Sequence, residues 1–304
     1  MRIAHTRVSV EVPATSANLG PGFDALGVAL GLTDQLELDA TTGGVEITAE
    51  GEGAADVPTG EEHLVVRAVR RALDHAGAPQ VGIRLRTRNR IPHGRGLGSS
   101  AAATVGGLLL ARGLLSDPEA LDERTLLQLA TEFEGHPDNA APALLGGATI
   151  SWTEAGTAHT RRLPVHPDAL SPVVLLPRTV LSTAAARSLL PAQVPHPDAA
   201  MNAARAALLV HALAHEPELL LTATEDRIHQ EQRAAGMPQS LELLRVLRHE
   251  GHPAVVSGAG PAILVLRGDA QELRALTRRV VDEPAAWRIA ALEVRPHASA
   301  AVVG

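Results

Sequence analysis

Apolar positions along this chain alternate between two periods. Val8, Val10 and Val12 recur every second residue and predict a strand ending at Pro13, and Val45 to Ala49 predicts another short one. From Leu64 to His75 the period changes: Leu64, Val65, Ala68, Val69, Ala72 and Leu73 fall on one helical face, with Gly77 and Pro79 as stop signals. Small residues predict a helix from Ser99 to Leu115. Leu126, Leu127, Ala130 and Phe133 predict a second from Glu123 to Glu134, closed by Gly135. Strands are expected at Ala148–Trp152 and Val173–Leu176, then helices at Ala199–His215, Pro217–Gln230 and Ser240–Glu250. A strand pair at Ala254–Ser257 and Ala262–Leu266, a helix at Ala270–Val281 and a strand at Ala290–Val294 complete the pattern. The fold class is α+β in two lobes, with the polar stretch Glu154–Pro167 as the linker candidate.

Composition narrows the chemistry. The 304 residues carry a formal charge of −7, and the 27 basic residues are all Arg; there is no Lys, Cys or Tyr. A Schiff base, a cysteine nucleophile, a disulfide and a Cys-ligated zinc site are therefore excluded, as is a Walker A loop, which needs Lys against the phosphates. No apolar run approaches the ~18 residues of a membrane span, and the first residues lack a secretory h-region, so a cytoplasmic protein is expected. The mild acidity argues against a nucleic-acid partner. Arg84, Arg86, Arg88 and Arg90 alternate with Ile83, Leu85, Thr87, Asn89 and Ile91. That stripe reads as a solvated strand face in preference to an anion-binding one, with no aromatic residues interleaved for base stacking.

Four polar or glycine-rich stretches could carry a site. Pro92-His93-Gly94-Arg95-Gly96-Leu97-Gly98-Ser99-Ser100-Ala101-Ala102 turns a strand into a helix. Its glycines permit close approach, and the helix start offers free N–H groups and the positive end of the dipole to a polyphosphate. One of Ser99 and Ser100 can cap the helix while the other meets a phosphate or its magnesium. A tight turn with a serine cap is the plain alternative. The segment from Pro13 to Gly27 gathers Thr15, Ser16, Asn18 and Asp24 in what reads as an irregular loop, or simply one satisfying its own backbone. Glu132, Glu134, His136, Asp138 and Asn139 follow the second helix, where C-cap chemistry would account for them equally. Ser257-Gly-Ala-Gly-Pro261 joins two strands. Thr183, Arg187, Arg205, Arg227 and Arg233 are scattered candidates, and an arginine on a helix face is usually just solvated.

Together these stretches resemble the GHMP small-molecule kinases: PHGRGLGSSAA is similar to their phosphate loop and SGAGP to their third motif. PATSANLGPGFDALGVAL and EGHPDNAAPALLGG resemble the homoserine kinase branch. The resemblance implies an N-terminal lobe like domain 2 of ribosomal protein S5 (residues 1–160) and a ferredoxin-like C-terminal lobe (161–304), with the site between them. It implies ATP on Pro92 to Ala102, Mg2+ on Ser100 and Glu132, with Glu134 as the alternative carboxylate, and L-homoserine on Asn18, Asp24, His136, Asn139, Thr183, Arg187 and Arg233. Arg187 and Arg233 suit the α-carboxylate and Asp24 the ammonium. Asn139 is expected to orient the γ-hydroxyl, with Asp138 as the nearby carboxylate base. Related mevalonate kinases use a Lys there, and this chain has none. The expected reaction is ATP-dependent phosphorylation of homoserine in threonine biosynthesis. The alternatives are another small hydroxy amino acid or alcohol as substrate, or a ligand sensor that has lost transfer. A homodimer is the assembly to test.

Overall fold

The computed structural model describes residues 1–302. The first lobe is a seven-stranded sheet of β1 (Arg7–Ala17), β2 (Leu26–Thr41), β3 (Val45–Gly51), β4 (Gly82–Asn89), β5 (Ala148–Glu154), β6 (Thr157–Arg162) and, from the far end of the chain, β11 (Ser299–Val302). β2 is its axis, pairing with β1, β4 and β5. β11 lies against β1 with Val8 opposite Val302, and only the β3–β4 pair is parallel among the described strands. Helices α1 (Leu64–His75), α2 (Ser99–Leu114), α3 (Glu123–Glu134) and α4 (Ala140–Leu145) complete this lobe. Val8, Val10, Val12, Leu36, Leu38, Ile83 and Leu85 belong to the same buried core as Val65, Val69 and Leu73 of α1.

The two amphipathic helices fall on the expected residues because periodicity and stop signals agree. β1 does not end at Pro13; a bulge between Pro13 and Ala14 absorbs the proline, and the strand continues to Ala17. The arginine stripe is a solvated, ion-paired sheet face: Arg84 meets Glu46 at 2.8 Å, and Arg86 meets Asp39 at 2.9 Å. The expected linker is instead largely the β5–β6 hairpin, whose Ala158 amide is held by the Gln128 side chain.

The second lobe is an antiparallel sheet in the order β10-β7-β9-β8, of β7 (Val173–Pro177), β8 (Ala254–Val256), β9 (Ile263–Val265) and β10 (Trp287–Ala291). Its helices are α5 (Thr183–Ser188), α6 (His196–Ala214), α7 (Leu220–Ala223), α8 (Pro238–His249) and α9 (Ala270–Val280). α8 and α9 share one core with Val173, Leu175, Ile263 and Val265. Val174, Leu176 and Leu264 join the first lobe's core instead, so hydrophobic packing is continuous between lobes. The single helix expected over Pro217–Gln230 breaks after Ala223, because the buried Asp226 carboxylate takes the amides of Ile228, His229 and Gln230 and offers the backbone a turn. The last expected strand shifts to Trp287–Ala291, and Glu293 and Arg295 bond instead to Gly31 and Ala29 of β2.

Candidate active site

Three of the four stretches meet at the junction of the lobes, laced together by backbone. Thr15 N–H donates to Leu97 O, Gly258 N–H to Ala17 O, and Ala262 N–H to Arg95 O. Ser257 Oγ donates to Gly96 O at 2.6 Å, and a Cβ on Gly96 would lie 2.1 Å from Ser257 O. The loop between β8 and β9 is therefore the brace behind the phosphate loop, a contact between residues 161 apart.

The phosphate loop ends at Gly98, which caps α2 in the left-handed region (φ 66°) with no side-chain bond. Neither serine is the N-cap: both sit in the first turn of α2, where the amides stay free for an anion. A Cβ on Gly98 would lie 1.9 Å from Thr15 Oγ1 and 3.1 Å from Asn139 Oδ1. Thr15 Oγ1 donates to Asn139 Oδ1 at 2.8 Å, so the Pro13–Gly27 and Glu132–Asn139 stretches join over the point where α2 begins. Pro92, Gly94, Arg95, Gly96, Leu97, Gly98, Ser99 and Ser100 line a cavity of about 390 Å³; Ala101 and Ala102 are buried in the core behind it.

The carboxylate beside that loop is Glu134. Ser100 Oγ donates to Glu134 Oε1 at 2.6 Å, whereas Glu132 points away and pairs with Arg71 at 2.9 Å. Residues two apart on a helix diverge by about 200°, and it is Glu134 that faces α2. Glu132 is thus corrected to Glu134 as the carboxylate next to Ser100. Burial pushes the Glu134 carboxyl above the usual glutamate range, against the bond from Ser100. A hydroxyl and a carboxylate beside a phosphate cradle are hard oxygen donors of the kind Mg2+ prefers.

The rest of the cavity is lined by Phe23, Asp24, Phe133, His136, Asn139, Thr183, Arg187 and Arg233, among others, and so includes both phenylalanines of the chain. Asp24, His136 and Asp138 bring ligand atoms within 4.8 Å of one another, but each carboxylate already has a partner. Arg187 holds Asp24 through Nη2 at 2.7 Å and Nη1 at 3.2 Å. Asp138, 1% exposed, takes His136 Nδ1 and is not itself part of the cavity wall, so it supports the imidazole and is not a free base. Burial opposes protonation of His136, but the bond and charge of Asp138 outweigh it and raise the imidazole above its ordinary value.

Arg233 is 2% exposed and lines the cavity. Its Nη1 bonds to Gly258 O at 3.2 Å and His229 Nδ1 at 3.1 Å, both neutral, and its buried Nε has no partner among the described residues. Burial and the charge of Arg187 lower its pKa from the ordinary value, as for a cation lacking a counter-ion. Asn18 does not reach the cavity: its amide donates to Gly258 O at 2.8 Å and accepts from Asp24 N–H at 3.0 Å, so it shapes the loop. Arg205 and Arg227 pair with Glu225 and Asp198 and are not part of the wall.

Sequence reasoning missed a neighbouring cavity of about 280 Å³, which shares Ser99 and Ser100 and is lined by Leu36, Val57, Pro58, His63, Val65, Thr87 and His93. It also missed Asp34, whose buried carboxylate takes the amides of Arg90 and Ile91 and anchors the approach to the loop.

Residues 63–147 match the family model described as GHMP kinases N terminal domain. The chain is 55% identical over 260 residues to a homoserine kinase of Streptomyces coelicolor, covering 85% of this chain and 84% of that one. It is 51% identical over 269 residues to a homoserine kinase of Mycobacterium tuberculosis, covering 86% and 85%. A crystal structure of homoserine kinase from Cytophaga hutchinsonii superposes with a TM-score of 0.86 at 27% identity, covering 97% of this chain and 98% of that one. A mevalonate diphosphate decarboxylase from Enterococcus faecalis, 14% identical with a TM-score of 0.66 over 99% and 100%, shares the fold alone. Identity at this level over most of both chains settles the assignment: the chain belongs to the homoserine kinases, a branch of the GHMP kinases.

Proposed function

We propose that the chain transfers the γ-phosphoryl group of ATP to the γ-hydroxyl of L-homoserine, giving O-phospho-L-homoserine for threonine biosynthesis. The observation that carries this is Arg233, a buried guanidinium held by neutral acceptors on the wall of a cavity that is also lined by the phosphate cradle. A buried cation is costly unless an anion joins it, and a substrate α-carboxylate supplies one.

Residues 1–160 contribute the nucleotide half of the site, and the amino-acid half is shared, with Asp24, His136 and Asn139 from this part and Thr183, Arg187 and Arg233 from residues 161–304. The amides of the loop and first turn of α2 receive the ATP phosphates, and the neighbouring 280 Å³ cavity receives the adenosine. Ser100 and Glu134 are the residues that would hold Mg2+, which supplies charge neutralisation on the phosphates. Arg233 and Arg187 bind the α-carboxylate, Asp24 the ammonium, and Thr183 and His136 complete the pocket wall. Asn139, fixed by Thr15, orients the γ-hydroxyl towards the phosphate. Phosphoryl transfer has a loose transition state, so positioning and charge neutralisation replace the strong base that neither Lys nor a free Asp138 supplies here.

A coupled assay for ADP release tests the reading. Homoserine is expected to stimulate release from millimolar ATP and Mg2+, and absence of stimulation rejects it; a panel with L-threonine and simple alcohols separates homoserine from other acceptors. Arg233→Met is expected to raise the homoserine KM far more than the ATP KM. The described residues include no helix long and apolar enough to cross a membrane. Sedimentation tests the homodimer.

A further inference from the structure

We propose that His229 is a positioning residue that holds Arg233 as a neutral acceptor, leaving the guanidinium's charge free for the substrate carboxylate. The proposal rests on the assignment of Arg233 to that carboxylate.

The tautomer follows from the partners. His229 is fully buried, with Nε2 2.7 Å from Gly20 O. A carbonyl only accepts, so the proton is on Nε2. Nδ1 then carries a lone pair, and Arg233 Nη1 donates to it at 3.1 Å. Only the neutral Nε2–H ring satisfies both bonds; an imidazolium would set an N–H against the guanidinium. Burial lowers the pKa of His229 in the same sense. The ring is fixed by stacking on Phe23, with centroids 4.9 Å apart, and the guanidinium carbon of Arg233 lies 5.5 Å from the centre of the same phenyl ring. Asp226 Oδ1 lies 3.6 Å from Nε2, at the opposite end of the imidazole from Arg233, and its carboxylate is engaged by three backbone amides.

The choice of acceptor matters because the two arginines of the site are held differently. Arg187 is gripped by the Asp24 carboxylate, which cancels its charge until a ligand intervenes. Arg233 is fixed by an imidazole nitrogen and a carbonyl, which restrain its position without neutralising it. A carboxylate at position 229 would hold the arginine at least as firmly and compete with the substrate for it.

Three variants separate position from charge. His229→Asn keeps an uncharged acceptor near Nδ1, His229→Asp keeps the shape and adds charge, and His229→Leu removes the acceptor. The homoserine KM is expected to stay within about threefold of wild type in Asn and to rise about 10- to 100-fold in Leu and Asp, the range of a charged hydrogen bond. The ATP KM and kcat should change less than about twofold. Leu matching wild type overturns the positioning role, and Asp matching Asn overturns the charge argument. Should the variants fail to fold, ¹⁵N NMR of the wild-type ring decides: a protonated Nε2 and bare Nδ1 at neutral pH are expected, and the other tautomer or an imidazolium rejects the proposal. Wild-type protein that ignores homoserine while showing this ring signature would instead reject the functional reading.

Discussion

Arg187 grips Asp24 with both terminal nitrogens, joining residues 163 positions apart across the mouth of the amino-acid pocket. The two side chains that suit opposite ends of a zwitterion thus neutralise each other. A ligand with both an ammonium and a carboxylate can exchange this pair for two new ones, whereas a ligand with one charge leaves a bare partner behind. Asp24→Asn removes the ammonium acceptor and releases Arg187. The homoserine KM is expected to rise about 10- to 100-fold with the ATP KM nearly unchanged, as steady-state kinetics will show.

Gly98 and Gly135 both have positive φ, yet only one borders the site. An alanine at Gly98 would push its Cβ into Thr15 and Asn139; one at Gly135 meets nothing within 4 Å. Gly98→Ala is expected to lower kcat/KM by about 100-fold or more, because a small misplacement of reacting groups is costly. Gly135→Ala should cost only about 1 kcal/mol of stability and keep full activity. Equal losses of activity would remove the special role of Gly98.

The two glutamates at the end of α3 offer a direct comparison. Glu134→Gln is expected to weaken Mg2+ activation and lower kcat at least about 100-fold, while Glu132→Gln breaks only an exposed pair with Arg71 and should stay within about twofold of wild type. Magnesium titrations of the initial rate read the difference, and a defect confined to Glu132→Gln would restore that residue.

Asp138 sets the charge of His136. The carboxylate raises the imidazole above its ordinary value against burial, so the protonated form persists to higher pH than in a free histidine. In Asp138→Asn burial dominates and the value falls. If homoserine binding uses the imidazolium, kcat/KM declines on the alkaline side, and the declining limb should move to lower pH in Asp138→Asn. An unmoved limb assigns it to another group.

Much of this was legible in the sequence for identifiable reasons. Helices α1 and α3 carry both a clean 3.6-residue apolar face and a stop signal, and their bounds fall where expected. The phosphate loop is local, so its glycines can be read in one glance. What sequence could not resolve depends on neighbours far along the chain. Glu132 and Glu134 differ only in which face of α3 meets α2. Asn18 looks like a ligand-binding amide until Gly258, 240 residues on, occupies it. Gly98 displaces the serines as cap because Thr15 and Asn139 lie directly over it. His229 has no motif of its own, since its role comes from Gly20, Phe23 and Arg233 together.

The strand Ser299–Val302 seated against β1 has a bearing on biosynthesis. A ribosome delivers β1 early and β11 some three hundred residues later, with the whole second lobe in between. Until that last strand emerges, β1, which carries Thr15 against the phosphate loop, presents an unpaired edge on a nascent polypeptide. Co-translational folding can therefore assemble the helices and the second sheet first, and the nucleotide cradle gains its full support only when translation has passed the second lobe.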